Sequence, residues 1–377
     1  MAGIYIHIPY CKQACRYCNF HFTTQLRTVN DYTDALLREI ELRKHELNGQ
    51  TIETIYIGGG TPSLLPKNAL VAVRGALENH FDLSNVQEFT VETNPDDIND
   101  ELLSTLQSIH VNRLSIGVQS FFDEHLKLMN RSHSADQATK AVQLAQANGF
   151  ANITIDLMYA LPLLTNDQWE QNLATAAQLG VKHLSCYNLT LEERTALMHM
   201  VKNEGFEIPD DEVGAEQFHM LRQWAKRNGF IHYEISNLAK PSFESKHNSA
   251  YWKGKPYVGL GPSAHSFDGL NRRHNIANTQ LYIKSLSTEN QIPHETEILT
   301  NSQRYNEYVM TGMRTIWGVD SNVVLEKFGE ELHQHFMHEI QPLFIQGLVK
   351  NDGNIFTLTE TGLYFADRVA EQLFYAE

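Results

Sequence analysis

The chain has 377 residues, 42% of them hydrophobic, and a mean hydropathy of −0.36, which predicts a soluble globular protein of about two domains with room for a sizeable core. Its 30 Lys and Arg against 45 Asp and Glu give a formal charge of −15. That balance argues against nucleic acid as the main partner, because affinity there comes from neutralising phosphates.

No apolar run approaches the roughly 18 residues a membrane helix needs. The start, MAGIYIHIPYC, lacks the basic region and apolar length of a signal peptide. A cytoplasmic protein without a membrane span is expected. Four cysteines, three of them clustered, do not read as a disulfide framework.

In chain order, IYIHI (4–8) predicts a first strand and residues 30–47 a helix, with Leu36, Leu37, Ile40 and Leu47 on one side and Asn30 or Asp31 as its cap. Further strands are expected at 51–57, 86–92, 112–118, 152–158 and 182–189, with helical sequence between them, such as 134–149 closing on Gly149. Six strands each followed by a helix imply parallel pairing through right-handed crossovers. The architectures that follow are a whole or partial (β/α) barrel or a doubly wound sheet.

Residues 1–235 form this α/β domain. Residues 236–294 are dense in Gly, Pro, Ser, Asn and aromatics with little periodicity, and read as a long structured loop region. Residues 295–377 turn helical again, with Asn351-Asp352-Gly353 as a turn between two short strands and Thr359 or Thr361 capping a last helix, a small winged-helix-like pattern. This end holds five basic and thirteen acidic side chains, the wrong sign for a DNA reader.

The polar and glycine-rich features of the first domain fall at the C-terminal ends of the predicted strands, where parallel barrels assemble their sites. Cys11, Cys15 and Cys18 stand at C-x3-C-x2-C spacing after the first strand, and GGGTPS (58–63) follows the second. Glu92 ends the third and Gln119 the fourth, with Arg131 beyond it, while Asp156 lies in the fifth.

Three thiolates can bind three irons of a [4Fe–4S] cube and leave the fourth iron open. Gly58, Gly59 and Gly60 let backbone approach closely. Glu92, Gln119, Arg131 and Asp156 suit a molecule carrying a carboxylate, an amine and a ribose, as S-adenosylmethionine does.

CKQACRYC resembles the cysteine signature of radical SAM proteins, with aromatic Tyr17 before the third cysteine. YIHIPYC, GGGTPS, ETNPD, SIGVQSF, NRSH, YEISN and the tail LTETGLYFADRV together resemble the oxygen-independent coproporphyrinogen III oxidases and their relatives, over nearly the whole chain. The resemblance implies an α/β fold, an incomplete six-unit TIM-like barrel with a small winged-helix-like α+β domain. It implies cluster ligation by Cys11, Cys15 and Cys18. It also implies contacts to S-adenosylmethionine from Tyr5, Gly59, Gly60, Thr61, Glu92, Gln119, Arg131 and Asp156.

Two departures separate the chain from the oxidases. Phe20 stands where they carry a fourth cysteine, and Cys11 lies close to the start, where they have a longer preceding segment. Both are typical of the HemW-like branch, the haem chaperones. HNSAYW (247–252) matches a motif associated with haem in that branch. His247 supplies an imidazole able to ligate iron, and Tyr251 and Trp252 could stack on a macrocycle. Ser245 stands where many relatives have cysteine.

The expected function is haem uptake and delivery to acceptor haem proteins, with a cluster and S-adenosylmethionine as cofactors and haem as cargo. A homodimer and peripheral membrane contact are compatible with it. The alternatives are an oxygen-independent coproporphyrinogen III oxidase, in which a 5′-deoxyadenosyl radical takes hydrogen from propionate side chains before decarboxylation, and a zinc-stabilised binding module completed by His7 or His21. Whether the chain is an enzyme stays open at this level. Cys186 reads as a buried small hydrophobe, and His265 as a lower-ranked ligand.

Overall fold

The computed structural model describes residues 2–376. Six parallel strands lie side by side in chain order: β1 (Ala2–Ile8), β2 (Ile52–Gly59), β3 (Glu88–Thr93), β4 (Arg113–Gln119), β5 (Ile153–Tyr159) and β6 (His183–Asn188). Between and after them run α1 (Val29–Leu42), α2 (Lys67–His80), α3 (Asp100–Ser108), α4 (Asp123–Leu128), α5 (Ala135–Ala147), α6 (Asn166–Gln178), α7 (Ala196–Glu204) and α8 (Asp211–Arg227). The expected open barrel of six βα units is present.

Alternation along the strands explains the layering. Ile4, Ile6, Ile8, Ile55, Ile57, Val91, Leu114, Ile116, Ile155 and Leu157 form a fully buried apolar layer. Cys186 belongs to this layer, as a small hydrophobe would. The intervening positions, among them Tyr5, Tyr56, Glu92, Ser115, Asp156 and Ser185, carry polar groups into the barrel. A packed barrel core is normally filled with branched apolar side chains. A polar lumen marks this one as a site.

The region from 236 to 294 differs from its expectation as loop. β7 (Ile231–Glu234) and β8 (Asn237–Ala239) extend the sheet antiparallel beyond β6. Beyond α9 (Lys246–Trp252), β9 (Tyr257–Leu260) joins β1 in parallel, and β10 (His265–Phe267), β11 (Asn271–Asn275) and β12 (His294–Ile298) continue antiparallel, with α10 (Thr279–Lys284) between the last two. The result is a twelve-stranded sheet.

A second hydrophobic cluster, from Tyr305 to Leu373, organises the C-terminal unit. Here α11 (Asn301–Met313), β13 (Val319–Asp320), α12 (Ser321–Phe328), α13 (Glu330–Ile345), β14 (Val349–Asp352) and β15 (Ile355–Leu358) follow in winged-helix order, with α14 (Ala366–Gln372) closing the chain. Asp352 pairs with Ile355 across a turn in which Gly353 takes φ +57°, and Thr359 accepts the Gly362 N–H at 3.0 Å.

Local differences have plain causes. Helix α1 begins at Val29, so Asn30 and Asp31 lie inside it, and Thr28 at its N-cap makes no side-chain capping bond, its hydroxyl being engaged with Tyr10 Oη instead. It ends at Leu42; Leu47 is buried, but from the turn that follows. Helix α5 has a full capping box from Ser134 and Gln137.

Candidate functional site

The cysteine loop is pinned to the C-terminal end of α4 and to the turn after β3. Gln13 Nε2 donates to Asn130 Oδ1 at 2.8 Å, Asn130 Nδ2 donates to Ala14 O at 2.7 Å, and Arg16 Nη1 donates to Leu128 O at 3.0 Å. Lys12 Nζ reaches Asp96 at 2.8 Å. All three thiols of Cys11, Cys15 and Cys18 are free and half-buried.

Two of these thiols are joined through side chains of other strands. Thr61 Oγ1 donates to Cys11 Sγ at 3.6 Å and accepts from Asn94 Nδ2 at 3.4 Å. Asn94 Oδ1 accepts from Arg131 Nη2 at 2.7 Å, and Arg131 Nη1 donates to Cys15 Sγ at 3.4 Å. Arg131 also donates to Gly117 O at 2.8 Å, and its Nε is buried without a partner. Asn94 was not among the residues singled out from the sequence, although it sits in the ETNPD motif.

The glycines at the end of β2 are demanded by their neighbours. A Cβ on Gly58 would lie 2.8 Å from the Glu92 carboxyl, one on Gly59 2.6 Å from the His7 ring, and one on Gly60 2.6 Å from Tyr10 O. Gly59 also needs φ +108°. Its N–H donates to Glu92 at 3.0 Å, and Tyr56 Oη donates to the other Glu92 oxygen at 2.7 Å.

Burial pushes Glu92 up to about 7, with the nearby Asp156 charge adding to it. Burial likewise raises Asp156 to about 6, against hydrogen bonding from Ser185. Gln119 holds φ +67° where the β4–β5 pairing shifts register, opposite Leu157. Tyr5 Oη lies 3.1 Å from His7 Nδ1, and His7 Nε2 donates to His21 O at 2.8 Å.

Tyr5, Gly59, Gly60, Thr61, Glu92, Gln119, Arg131 and Asp156 thus come from β1 to β5 and their following loops, on the side of the cysteine loop. The set fits a cluster with a small polar ligand. Three thiols are free to ligate, the glycines bare the backbone beside them, and the Arg131 Nε–H is buried without a partner. Among the described residues no three His, Cys, Asp or Glu converge closely enough to hold a single metal ion, as a zinc site would need.

His247, Tyr251 and Trp252 lie elsewhere. Helix α9 is seated at the other end of the barrel, where Glu88 accepts the N–H groups of Lys246 at 2.8 Å and His247 at 2.9 Å. His247 is 1% exposed. Its Nδ1 bonds Thr54 Oγ1 at 2.8 Å and its Nε2 bonds Tyr251 Oη at 2.7 Å.

Trp252 faces the Arg314 guanidinium of the C-terminal unit, 5.9 Å from the ring centre. In this geometry His247 offers no free nitrogen to an iron. Both ring nitrogens are engaged, and the side chain closes the barrel floor. His265, also raised as a ligand, is exposed and stacks on His274 across the β10–β11 pairing.

Residues 5–176 match the Radical SAM superfamily and residues 299–365 match the HemN C-terminal domain. The chain is 33% identical over 98% of its length to proteins named heme chaperone HemW from Lactococcus lactis and from Bacillus subtilis, covering 96% and 98% of those chains. It is 32% identical to the mitochondrial radical S-adenosyl methionine domain-containing protein 1 of Danio rerio, over 84% of this chain and 74% of that one. The structure of coproporphyrinogen III oxidase (HemN) from Escherichia coli superposes with a TM-score of 0.86 at 23% identity, covering 99% of this chain and 90% of that chain. That last likeness concerns the fold.

Proposed function

The chain belongs to the HemW branch of the radical SAM superfamily, and on that premise we propose that it is a cytoplasmic haem chaperone that takes up haem and passes it to acceptor haem proteins. Cys11, Cys15 and Cys18 would hold a [4Fe–4S] cluster. Gly59, Gly60, Thr61, Glu92, Gln119, Arg131 and Asp156 would hold S-adenosylmethionine, with Tyr5 beneath it in the lumen. Bound together, the two groups supply one-electron reduction of a sulfonium.

The chain's own residues have separable tasks. Arg131 places a fixed positive charge against Cys15, and Asn94 keeps that guanidinium aimed. Glu92, held by Gly59 N–H and Tyr56 Oη, offers an acceptor to an ammonium group. The glycine cradle keeps the ligand close to backbone. No helix among the described residues is long and apolar enough to cross a membrane.

The observation that favours haem handling over porphyrinogen oxidation is Phe20, where the oxidases keep a cysteine. It is 66% exposed at the rim of the cysteine loop. The test is anaerobic: reconstitute the cluster, then assay coproporphyrinogen turnover and titrate haem on one sample. Haem uptake without turnover is expected. Robust porphyrinogen oxidation would replace this reading with the oxidase, and stoichiometric zinc in place of iron would remove both.

A further inference from the structure

Tyr5 and His7 stand two apart on β1, so their side chains share the polar lumen face. Tyr5 Oη lies 3.1 Å from His7 Nδ1, and the far ring nitrogen, Nε2, lies 2.8 Å from His21 O. A carbonyl oxygen can only accept, so Nε2 carries the proton. His7 is 5% exposed. Burial lowers its pKa to about 4, which keeps the ring neutral at pH 7 with a bare lone pair on Nδ1.

The direction of the Tyr5 bond follows. With Nδ1 an acceptor, the phenol must donate, and its single hydrogen is committed to the protein. What Tyr5 has left for a ligand is lone pairs alone. Tyr56, its neighbour across the β1–β2 pairing, is committed in the same way, because its hydroxyl donates to Glu92. Glu92 also accepts the Gly59 N–H.

His7 is held for this task from two sides. A Cβ on Gly59 would come within 2.6 Å of the His7 ring, so only glycine lets the imidazole sit there. The His21 ring stacks on it with centroids 6.2 Å apart, and His21 Nε2 bonds Thr279 Oγ1 at 2.9 Å at the start of α10. His21 follows Cys18 by three residues. The carbonyl that fixes the His7 tautomer therefore belongs to the loop that carries the cysteines. Moving it away releases Nε2 from its partner and lets the tautomer reverse, which would turn the Tyr5 hydrogen toward the ligand.

We infer that His7 is a positioning residue for the small molecule bound in the lumen: it holds the Tyr5 hydroxyl as an obligate acceptor and so selects a ligand that presents an O–H or N–H donor at that point. The inference rests on the S-adenosylmethionine reading, since ribose hydroxyls and an ammonium group are such donors. It adds to that reading a residue outside the expected contact set.

The test uses the full chain with reconstituted cluster and follows S-adenosylmethionine by equilibrium dialysis, per cluster bound. His7→Phe keeps an aromatic ring against Gly59 but offers Tyr5 no acceptor. His7→Gln keeps an amide that can accept from Tyr5 and donate to His21 O. Tyr5→Phe removes the hydroxyl itself. H7F and Y5F are each expected to weaken binding about five- to tenfold, and the double variant no further than either alone. H7Q is expected to stay within about threefold of wild type. Losses that multiply in the double variant, or an equal loss in H7Q and H7F, would mean that His7 only fills space and overturn the inference. Wild-type affinity in H7F overturns it as well. Each of these results leaves the S-adenosylmethionine reading standing, whereas absence of binding by the wild type overturns both.

Discussion

Asn94 Oδ1 accepts from Arg131 Nη2 at 2.7 Å, and this contact joins two cysteines that share no direct bond. One arm runs from Asn94 through Thr61 to Cys11, the other from Arg131 to Cys15. An amide can serve both arms because its oxygen accepts while its nitrogen donates. Asp at this position would lose the donor arm, and Leu would lose both.

Replacing Asn94 by Ala therefore tests the coupling. The fold should survive at a cost of about 1–2 kcal/mol, since the side chain lies at a strand end. Cluster retention should fall, seen as lower iron and sulfide per chain and faster bleaching under a chelator. Iron content and bleaching rate equal to wild type would mean that the link through Asn94 does not support the cluster.

Glu92 gives a pH-dependent effect with a definite sign. Its folded pKa is raised from 4.5 to about 7, chiefly by burial, so the folded state binds the proton more tightly than the unfolded chain. The associated stability is present below pH 4.5 and is lost as pH rises through 7. Glu92→Gln cannot ionise, so the variant should gain on wild type by up to about 3 kcal/mol between pH 5 and pH 8. Thermal unfolding of the metal-free proteins across that range checks it. The same variant should bind S-adenosylmethionine more weakly once reconstituted.

Gly60→Ala introduces a Cβ 2.6 Å from Tyr10 O and 2.8 Å from Ile8 O, both backbone atoms that cannot turn aside. The strand ends must separate. A destabilisation of about 2–3 kcal/mol in denaturant unfolding is expected, together with loss of S-adenosylmethionine affinity by equilibrium binding. An unchanged affinity would show that the cradle around Gly60 is not where the ligand lies.

His247 forms part of the barrel floor, and its neutrality there has its own readout. Burial lowers its pKa from 6.5 to about 3, so it is uncharged in the folded state. The stability this neutrality carries is present above pH 6.5 and is lost as pH falls. His247→Gln should cost about 2–3 kcal/mol at pH 7. The deficit against wild type should shrink by about 2 kcal/mol on going to pH 5. A pH-independent deficit would argue for a solvent-accessible His247 with an unshifted pKa.

The parallel strands were legible because β-branched and apolar residues recur at alternate positions in short runs between helical patterns. Their order follows from the crossover rule. Strands β8 to β11 were not legible. They are three to five residues long, too short for alternation to show, and their Gly and Pro neighbours imitate a loop.

The site divides in a similar way. Cys11, Cys15 and Cys18, the glycines and Glu92 announce themselves by local pattern. Asn94 acquires its role from Arg131, which lies 37 positions away, and His247 loses its free nitrogen to Thr54, 193 positions upstream. Partners at that distance are set by topology and leave no mark in the surrounding residues.

The Glu88 carboxylate that anchors α9 has a consequence for traffic. A molecule that moves down the lumen past Glu92 and Asp156 meets His247 and the helix behind it, so passage straight through is blocked.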